Sequence, residues 1–388
     1  MHVKHTFRVA VLANVSRRYD RRVIQGIAAY ARDAGNWDLY VEEELFQQLP
    51  KRKQWRGDGI LAAFDDREVA RAVAGLRVPL VGFGGGYGWY DPDSHIPYFA
   101  TDNQAIGRLA AEHLLACGFS RLACYGGRSS HLRHWEEDRI RAFRQRAMEA
   151  GVPCAVLRAR HATAQNWDPL QRALTNWLMA LDKPVGLLAC TDLRARHVLQ
   201  VCRTRGIRVP NEAAVVGVDN DEMLCELTTP PLTSIEQGSQ RIGYEAAALL
   251  AQLMVGKRPR QLCHVIPPEG LVARQSTDVV ACDDQELAAA VRFIRQRACD
   301  PIRVADVLAI AQLSRSTLER KFLDTLGRTI HAEIERVQVE RAKQLLAGTS
   351  LLVKQIAQRC GFRYPQYMTV VFRRCTGQTP FAYRRRVA

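Results

Sequence analysis

The sequence predicts two doubly wound, parallel-sheet α/β lobes followed by an all-α domain. Three observations carry this. Over the first 280 of 388 residues, apolar strand-like runs alternate with amphipathic helical runs, the pattern of right-handed βαβ units and a sheet covered on both faces. From Glu286 onward the periodicity is helical throughout. Within that tail one short pattern occurs twice, Val304 to Phe322 and Val353 to Phe372.

The elements follow in order. Phe7–Ala13 reads as a first strand and Tyr19–Ala34 as a helix with Val23, Ile24, Ile27 and Tyr30 on one face. Gly59–Phe64 and Val78–Phe83 are strands. Asp102–Cys117 is a helix that Asp102 is placed to cap, an alternative to a ligand role for that carboxylate. Leu122–Tyr125 is a strand and Asp138–Ala150 a helix. Strands Val185–Ala189 and Ala213–Val218 flank helix Leu193–Arg205, and Gln240–Met254 closes the series. So many units in about 280 residues predict two lobes rather than one sheet, with ligands bound at the strand ends. The stretch Asp278–Asp284 breaks the pattern, which predicts domains at 1–280 and 285–388. Gly82 to Gly88 has the wrong spacing for a dinucleotide fingerprint, and no Lys-Ser/Thr follows it, so it reads as a strand-to-loop turn.

Each repeated unit is a short helix, a tight turn and a second helix with a polar outer face, the helix-turn-helix arrangement. In the first, Ala305, Leu308, Ala309, Leu313, Leu318 and Phe322 form the expected core, and Ser314 caps the second helix. Arg315, Ser316, Glu319 and Arg320 project. In the second, Ile356, Ala357, Cys360, Phe362, Met368 and Phe372 are core, while Arg363, Tyr364, Gln366 and Thr369 project. Arg pairs with guanine, Gln with adenine, and Glu accepts from cytosine; Arg320 suits a phosphate equally. Arg373, Arg374 and Arg384–Arg386 are expected on phosphates, giving affinity without sequence information. The helix between the units, about Ile330–Leu346, spans roughly 25 Å, enough to set two recognition helices about one DNA turn apart.

Charge agrees. The net charge is +15; residues 283–388 hold nineteen Lys/Arg against ten Asp/Glu. A basic module suits a polyanion because phosphate neutralisation releases counterions, although a solvated basic surface has the same composition. Apolar residues make up 47%, and no apolar run approaches the roughly 20 residues that span a bilayer. The N-terminus reads as a strand rather than a signal segment, so no membrane association and a cytoplasmic location are expected. The eleven cysteines form no CxxC pair, which predicts reduced thiols. His131 and His134 lack supporting ligands for a metal. No catalytic grouping is evident, so an enzyme is not expected.

Several segments then converge on known families. Ala100-Thr-Asp-Asn103, Arg139-Ile-Arg-Ala-Phe143, Leu188-Ala-Cys-Thr-Asp192, Val216-Gly-Val-Asp-Asn220, Pro231 to Gln237 and Leu271 to Thr277 occur in an order that resembles the effector-binding core of LacI-type repressors and the periplasmic sugar-binding proteins. The likeness covers residues 6–278. LacI-type proteins carry their helix-turn-helix ahead of the first strand; here the corresponding module stands at the other end. Gly361 to Arg384 resembles the AraC family, with Met368 where Phe is usual. The fusion, with Tyr19-Asp-Arg-Arg-Val, Gly57-Asp-Gly, Phe64-Asp-Asp and Thr191 to Cys202, is similar to the xylose-responsive regulators of enteric bacteria.

The resemblance implies a sugar-responsive transcriptional regulator, an activator of pentose catabolism with D-xylose as effector and no cofactor. The expected ligand residues are Asp20, Trp135, Arg139, Asp192, Asp219 and Gln237. Carboxylate, amide and guanidinium groups there each form two hydrogen bonds to sugar hydroxyls. Arg139, Asp219 and Gln237 match the resembled family's sugar-binding positions. Arg139 and Asp219 alternatively form a structural bridge, and Trp135 either stacks on a sugar or fills the core. Expected partners are a double-stranded DNA operator, a second copy of the chain and, for an activator, RNA polymerase. A regulator answering to another sugar or a purine, and a non-sensing DNA binder, remain as alternatives.

Overall fold

A computed structural model describes residues 5–41, 56–86, 90, 93, 95–127, 134–160, 163, 165–278, 284–349 and 351–387. The chain divides into two compact units, residues 1–279 and 280–388.

The first unit begins β1 (Phe7–Leu12), α1 (Arg18–Ala34), β2 (Trp37–Val41), β3 (Gly59–Ala63), α2 (Arg67–Val73), β4 (Leu80–Gly84), β5 (Tyr98–Thr101) and α3 (Asn103–Ala116). It continues β6 (Leu122–Gly127), α4 (His134–Glu149), β7 (Cys154–Ala159), α5 (Trp167–Ala180), β8 (Val185–Ala189), α6 (Asp192–Arg205), β9 (Ala213–Val218) and α7 (Glu222–Leu227). It closes with β10 (Thr233–Glu236), α8 (Ser239–Met254), β11 (Cys263–Ile266) and β12 (Gly270–Val272). Among the described residues two six-stranded sheets result, ordered β11-β5-β4-β3-β1-β2 and β12-β10-β9-β8-β6-β7. Every recorded pairing is parallel except β10 with β12. Strands β3, β4, β6, β8 and β9 are buried along their whole length, which is why they read as unbroken apolar runs.

Among the described residues the chain passes between the lobes three times: from β5 into α3, from β10 into α8, and from β11 to β12. The crossings are tied together by the Asp102 amide on the Ile266 carbonyl (2.9 Å) and the Glu269 amide on the Glu236 carbonyl (2.9 Å). Asp102 caps α3 by accepting from the Ala105 amide at 2.8 Å. Most elements missed from sequence are short or lie at sheet edges; the exception is α5, a helix of 14 residues. Strand β2 mixes Trp, Asp and Tyr, and β5 is four residues long.

The second unit is helical: α9 (Gln285–Arg297), α10 (Val304–Ala311), α11 (Arg315–Leu326), α12 (Ile330–Gly348), α13 (Val353–Arg359), α14 (Pro365–Thr376) and α15 (Pro380–Val387). It has two cores. One joins Leu287, Ile294, Val307, Leu318 and Phe322 to Ile330 and Ile334. The other joins Ile356, Cys360, Phe362, Met368 and Phe372 to Val339, Ala342 and Leu346. Helix α12 thus belongs to both, and its 19 residues extend about 28 Å. The second core matches expectation. In the first, Val307 and Ala311 are buried while Ala305 and Ala309 are exposed. The buried stripe of α10 is therefore rotated from the expected one. Runs of small apolar residues leave the phase of an eight-residue helix open.

Candidate functional site

Arg139 lies in the second turn of α4 and is 1% exposed. Its Nε donates to Asn103 Oδ1 at 2.9 Å, one terminal nitrogen to the Cys190 carbonyl at 2.6 Å, and the other to Gln237 Oε1 at 2.6 Å. Among the described residues, three of its five N–H groups are thereby engaged. The Gln237 amide in turn donates to Asp219. Arg139 and Asp219 are thus linked through Gln237. Helices α3 and α4 approach closely because residue 107 is glycine: a Cβ there would overlap the Arg139 carbonyl.

This chain of bonds stands on the crossings, with Asn103 at the start of α3 and Gln237 between β10 and α8. The Trp135 ring lies over the guanidinium, 4.6 Å from ring centroid to Cζ. A Cβ at Gly86 would meet the Trp135 Cβ at 3.0 Å, so the glycine turn after β4 in the first lobe passes against a tryptophan of the second.

The first lobe contributes Asp20 and Asp65. Asp20 is 1% exposed and accepts from the Asn14 amide at 3.0 Å. Asp65 follows β3, and its Oδ2 accepts from the Gly85 amide at 2.7 Å. Its Oδ1 is buried with no hydrogen-bond partner among the described residues. Burial raises the pKa of Asp20 to about 7, helped by the charge of Asp65. Burial likewise raises Asp65 to about 6 against the opposing Gly85 hydrogen bond and Arg17. Asp219 is raised to about 7 by burial, opposed by Arg139 and Gln237. These carboxyls need further hydrogen-bond donors to hold their charge.

Asp192 occupies a different place from the one expected. It is fully buried, and its carboxylate accepts from the Asp221 amide at 2.7 Å and from Ser234 Oγ at 2.5 Å. Asp219 and Asn220 take φ of 115° and 45°, a strained backbone for non-glycine residues. Asp192 braces this turn from behind and so sets the Asp219 carboxylate. Sequence reasoning missed Asp65 and Asn103; the signal for both was a polar residue two positions beyond a strand end.

In the second unit Ser314 caps α11 by accepting from the Thr317 amide at 3.2 Å. Arg315, Ser316 and Arg320 are exposed on α11, and Arg363, Tyr364, Gln366 and Arg373 at and along α14. Four expected contacts are otherwise engaged. Glu319 is half-buried and accepts from the Ile330 amide at the start of α12, at 3.3 Å. Thr369 Oγ1 donates back to the Pro365 carbonyl at 3.0 Å. Arg374 pairs with the nearly buried Glu335 of α12 at 2.5 Å, which also accepts from the Tyr367 hydroxyl at 2.6 Å. Arg384 donates to the Leu351 carbonyl at 2.7 Å, fastening α15. Glu319 and Thr369 were expected to project towards DNA, and Arg374 and Arg384 to hold phosphates.

The comparisons with known proteins follow the same divisions. Residues 8–104 match the XylR N-terminal domain, 111–277 a periplasmic binding protein-like domain, and 307–386 a helix-turn-helix domain. The chain is 37% identical to the xylose operon regulatory protein of Escherichia coli K12 over 378 residues, 97% of this chain and 96% of that one. The chain belongs to the xylose operon regulatory protein family. A second member, from Haemophilus influenzae, is 37% identical over 379 residues, covering 97% and 98% of the two chains. A solved structure of a "xylose-binding transcription activator xylR" superposes with a TM-score of 0.71 at 36% identity, covering 99% of both chains. The members of this family named here are transcriptional regulators, not enzymes. Among the described residues no helix is long and apolar enough to cross a membrane.

Proposed function

We propose that this chain senses D-xylose between the two lobes of its first unit and reads duplex DNA with α11 and α14 to activate transcription. One observation carries the sensing half. The Arg139–Gln237–Asp219 chain stands on the second lobe and on a crossing between the lobes, beside the first-lobe carboxylates Asp20 and Asp65, the latter with an unpartnered buried oxygen among the described residues. A polyol bound there touches both lobes and so favours one mutual arrangement over another; only such differential affinity shifts a conformational equilibrium. Trp135, already over Arg139, presents an aromatic face for a sugar ring. The family supports xylose as the effector, and a xylose-binding activator of similar sequence supports activation. The protein works in the cytoplasm as a homodimer that contacts RNA polymerase when effector is bound.

A thermal-shift titration against pentoses and hexoses tests this. At effector concentrations one hundred times Kd, binding adds about 2.7 kcal/mol of stability. D-Xylose is expected to raise the transition of the first unit most. No shift with any sugar removes the sensing role.

The raised carboxyl pKa values add a pH dependence. Sugar hydroxyls donate to carboxylates, so binding favours the charged forms and releases protons between about pH 6 and 7. Affinity is therefore expected to rise with pH through that window. The sugar-free protein should behave oppositely. Groups whose folded pKa lies above the unfolded value contribute stability that is lost as pH rises through the folded value, here about 6 to 7 for Asp20, Asp65 and Asp219. Calorimetry in buffers of different ionisation enthalpy reads the proton release directly. A Kd that stays flat from pH 6 to 8 rules the coupling out.

A further inference from the structure

The two recognition helices can be laid residue on residue through their shared core. Leu318 and Phe322 of α11 correspond to Met368 and Phe372 of α14; all four are fully buried. The face opposite that core is then Ser316, Arg320 and Leu323 in the first helix-turn-helix, and Gln366, Val370 and Arg373 in the second. At 100° per residue, Val370 sits roughly 40° from Gln366 and about 160° from Met368. It therefore lies at the middle of the outer face, and it is 62% exposed. Arginines flank it, Arg363 before the helix and Arg373 one turn beyond; both are exposed. An isolated exposed valine usually needs no explanation. This one takes the position that the first helix-turn-helix gives to Arg320, between two exposed arginines.

We propose that Val370 reads the 5-methyl group of thymine, with Gln366 on the adenine of the same or a neighbouring pair. The first helix-turn-helix places Arg320 on guanine at the corresponding position. The inference rests on the DNA-reading role proposed above. Its chemistry is that of the major groove. Thymine is the one base that offers a methyl group there, adenine N6 and N7 match the donor and acceptor of a glutamine amide, and arginine fits guanine O6 and N7. Burying the valine against the methyl removes apolar surface of both from water. The DNA site for one chain is then chemically asymmetric, with a G·C pair under the first helix-turn-helix and an A·T pair under the second.

The test uses the full chain with D-xylose. Duplexes are first selected from a random library. The thymines of the best site are then replaced one at a time by deoxyuridine, which removes only the methyl group. At one thymine the replacement is expected to weaken wild-type binding about fourfold, as expected for burying one methyl. For Val370→Ala that penalty should shrink towards nothing, at an unchanged melting temperature. 5-Methylcytosine at the same position should recover part of the affinity lost with cytosine. A wild-type protein that selects a sequence but is indifferent to every methyl overturns the Val370 assignment alone. So does an undiminished methyl penalty in Val370→Ala. A wild-type protein that selects no sequence overturns the DNA-reading role itself.

Discussion

Arg139→Met is expected to lower sugar affinity at least a hundredfold while leaving DNA binding by the second unit in place. Methionine is close in volume and keeps the apolar contacts. It leaves Asn103 Oδ1, the Cys190 carbonyl and Gln237 Oε1 without their donor. Hydrogen bonds to charged groups are worth about 1.5–3 kcal/mol each, so loss of the remaining donors to a ligand alone gives the hundredfold. The orphaned acceptors also lower the melting point of the first unit. Arg139→Lys should recover little, because a lysine carries a single point of charge and cannot span three acceptors in one plane. The measurement is isothermal calorimetry with D-xylose, alongside circular dichroism to establish folding. A folded Arg139→Met with wild-type affinity would reduce the residue to a structural brace.

Arg139, Asp219 and Gln237 were legible because each is a polar residue at a strand or helix end, in segments whose order matches a known family. Asp65 was not. A carboxylate after a strand looks the same in sequence whether it faces a cleft or caps a helix, and its neighbour Asp66 does cap α2 by accepting from the Glu68 amide at 2.9 Å. Asn103 was hidden by Asp102 in the same way. Asp192 shows the reverse error: it ends a strand and opens a helix as a ligand residue would. What decides its role is Ser234 and Asp221, some 42 and 29 residues away in the chain, and no local pattern reports them. Glu319, which meets the start of α12, was misplaced for a related reason. Helical spacing identifies an outer face, but it does not show where a neighbouring helix covers part of that face. The order of lobes and the tandem helical units were legible because alternation and period survive in the sequence. The edge strands were not, since a strand covered on one side carries a weaker pattern.

Glu333 carries the other large expected effect. It lies in α12, the helix common to both cores of the second unit, and is 0% exposed. It accepts from Arg328 Nε at 2.6 Å and from Arg336 at 2.8 Å through both of its oxygens, with Arg295 of α9 at 3.7 Å. Burial alone would raise its pKa, but Arg336, Arg328 and Arg295 more than offset this and hold it below the ordinary glutamate value. Glu333→Ala leaves three arginines around an empty site. Breaking a buried ion pair costs about 3–5 kcal/mol; the lower end applies here, since the arginines keep some access to water. The second unit is expected to melt at lower temperature and to lose DNA affinity. The first unit should keep both its transition and its response to sugar. Glu333→Gln, which keeps the shape and loses the charge, should fall between the two. Because a depressed carboxyl pKa contributes stability above the unfolded value that is lost as pH falls through the folded one, the wild-type second unit should also weaken in acid, and Glu333→Gln should weaken less steeply. Differential scanning calorimetry separates the two transitions. An unmoved second transition in Glu333→Ala would mean that apolar packing along α12, rather than this charge cluster, holds the two groove-reading helices in register.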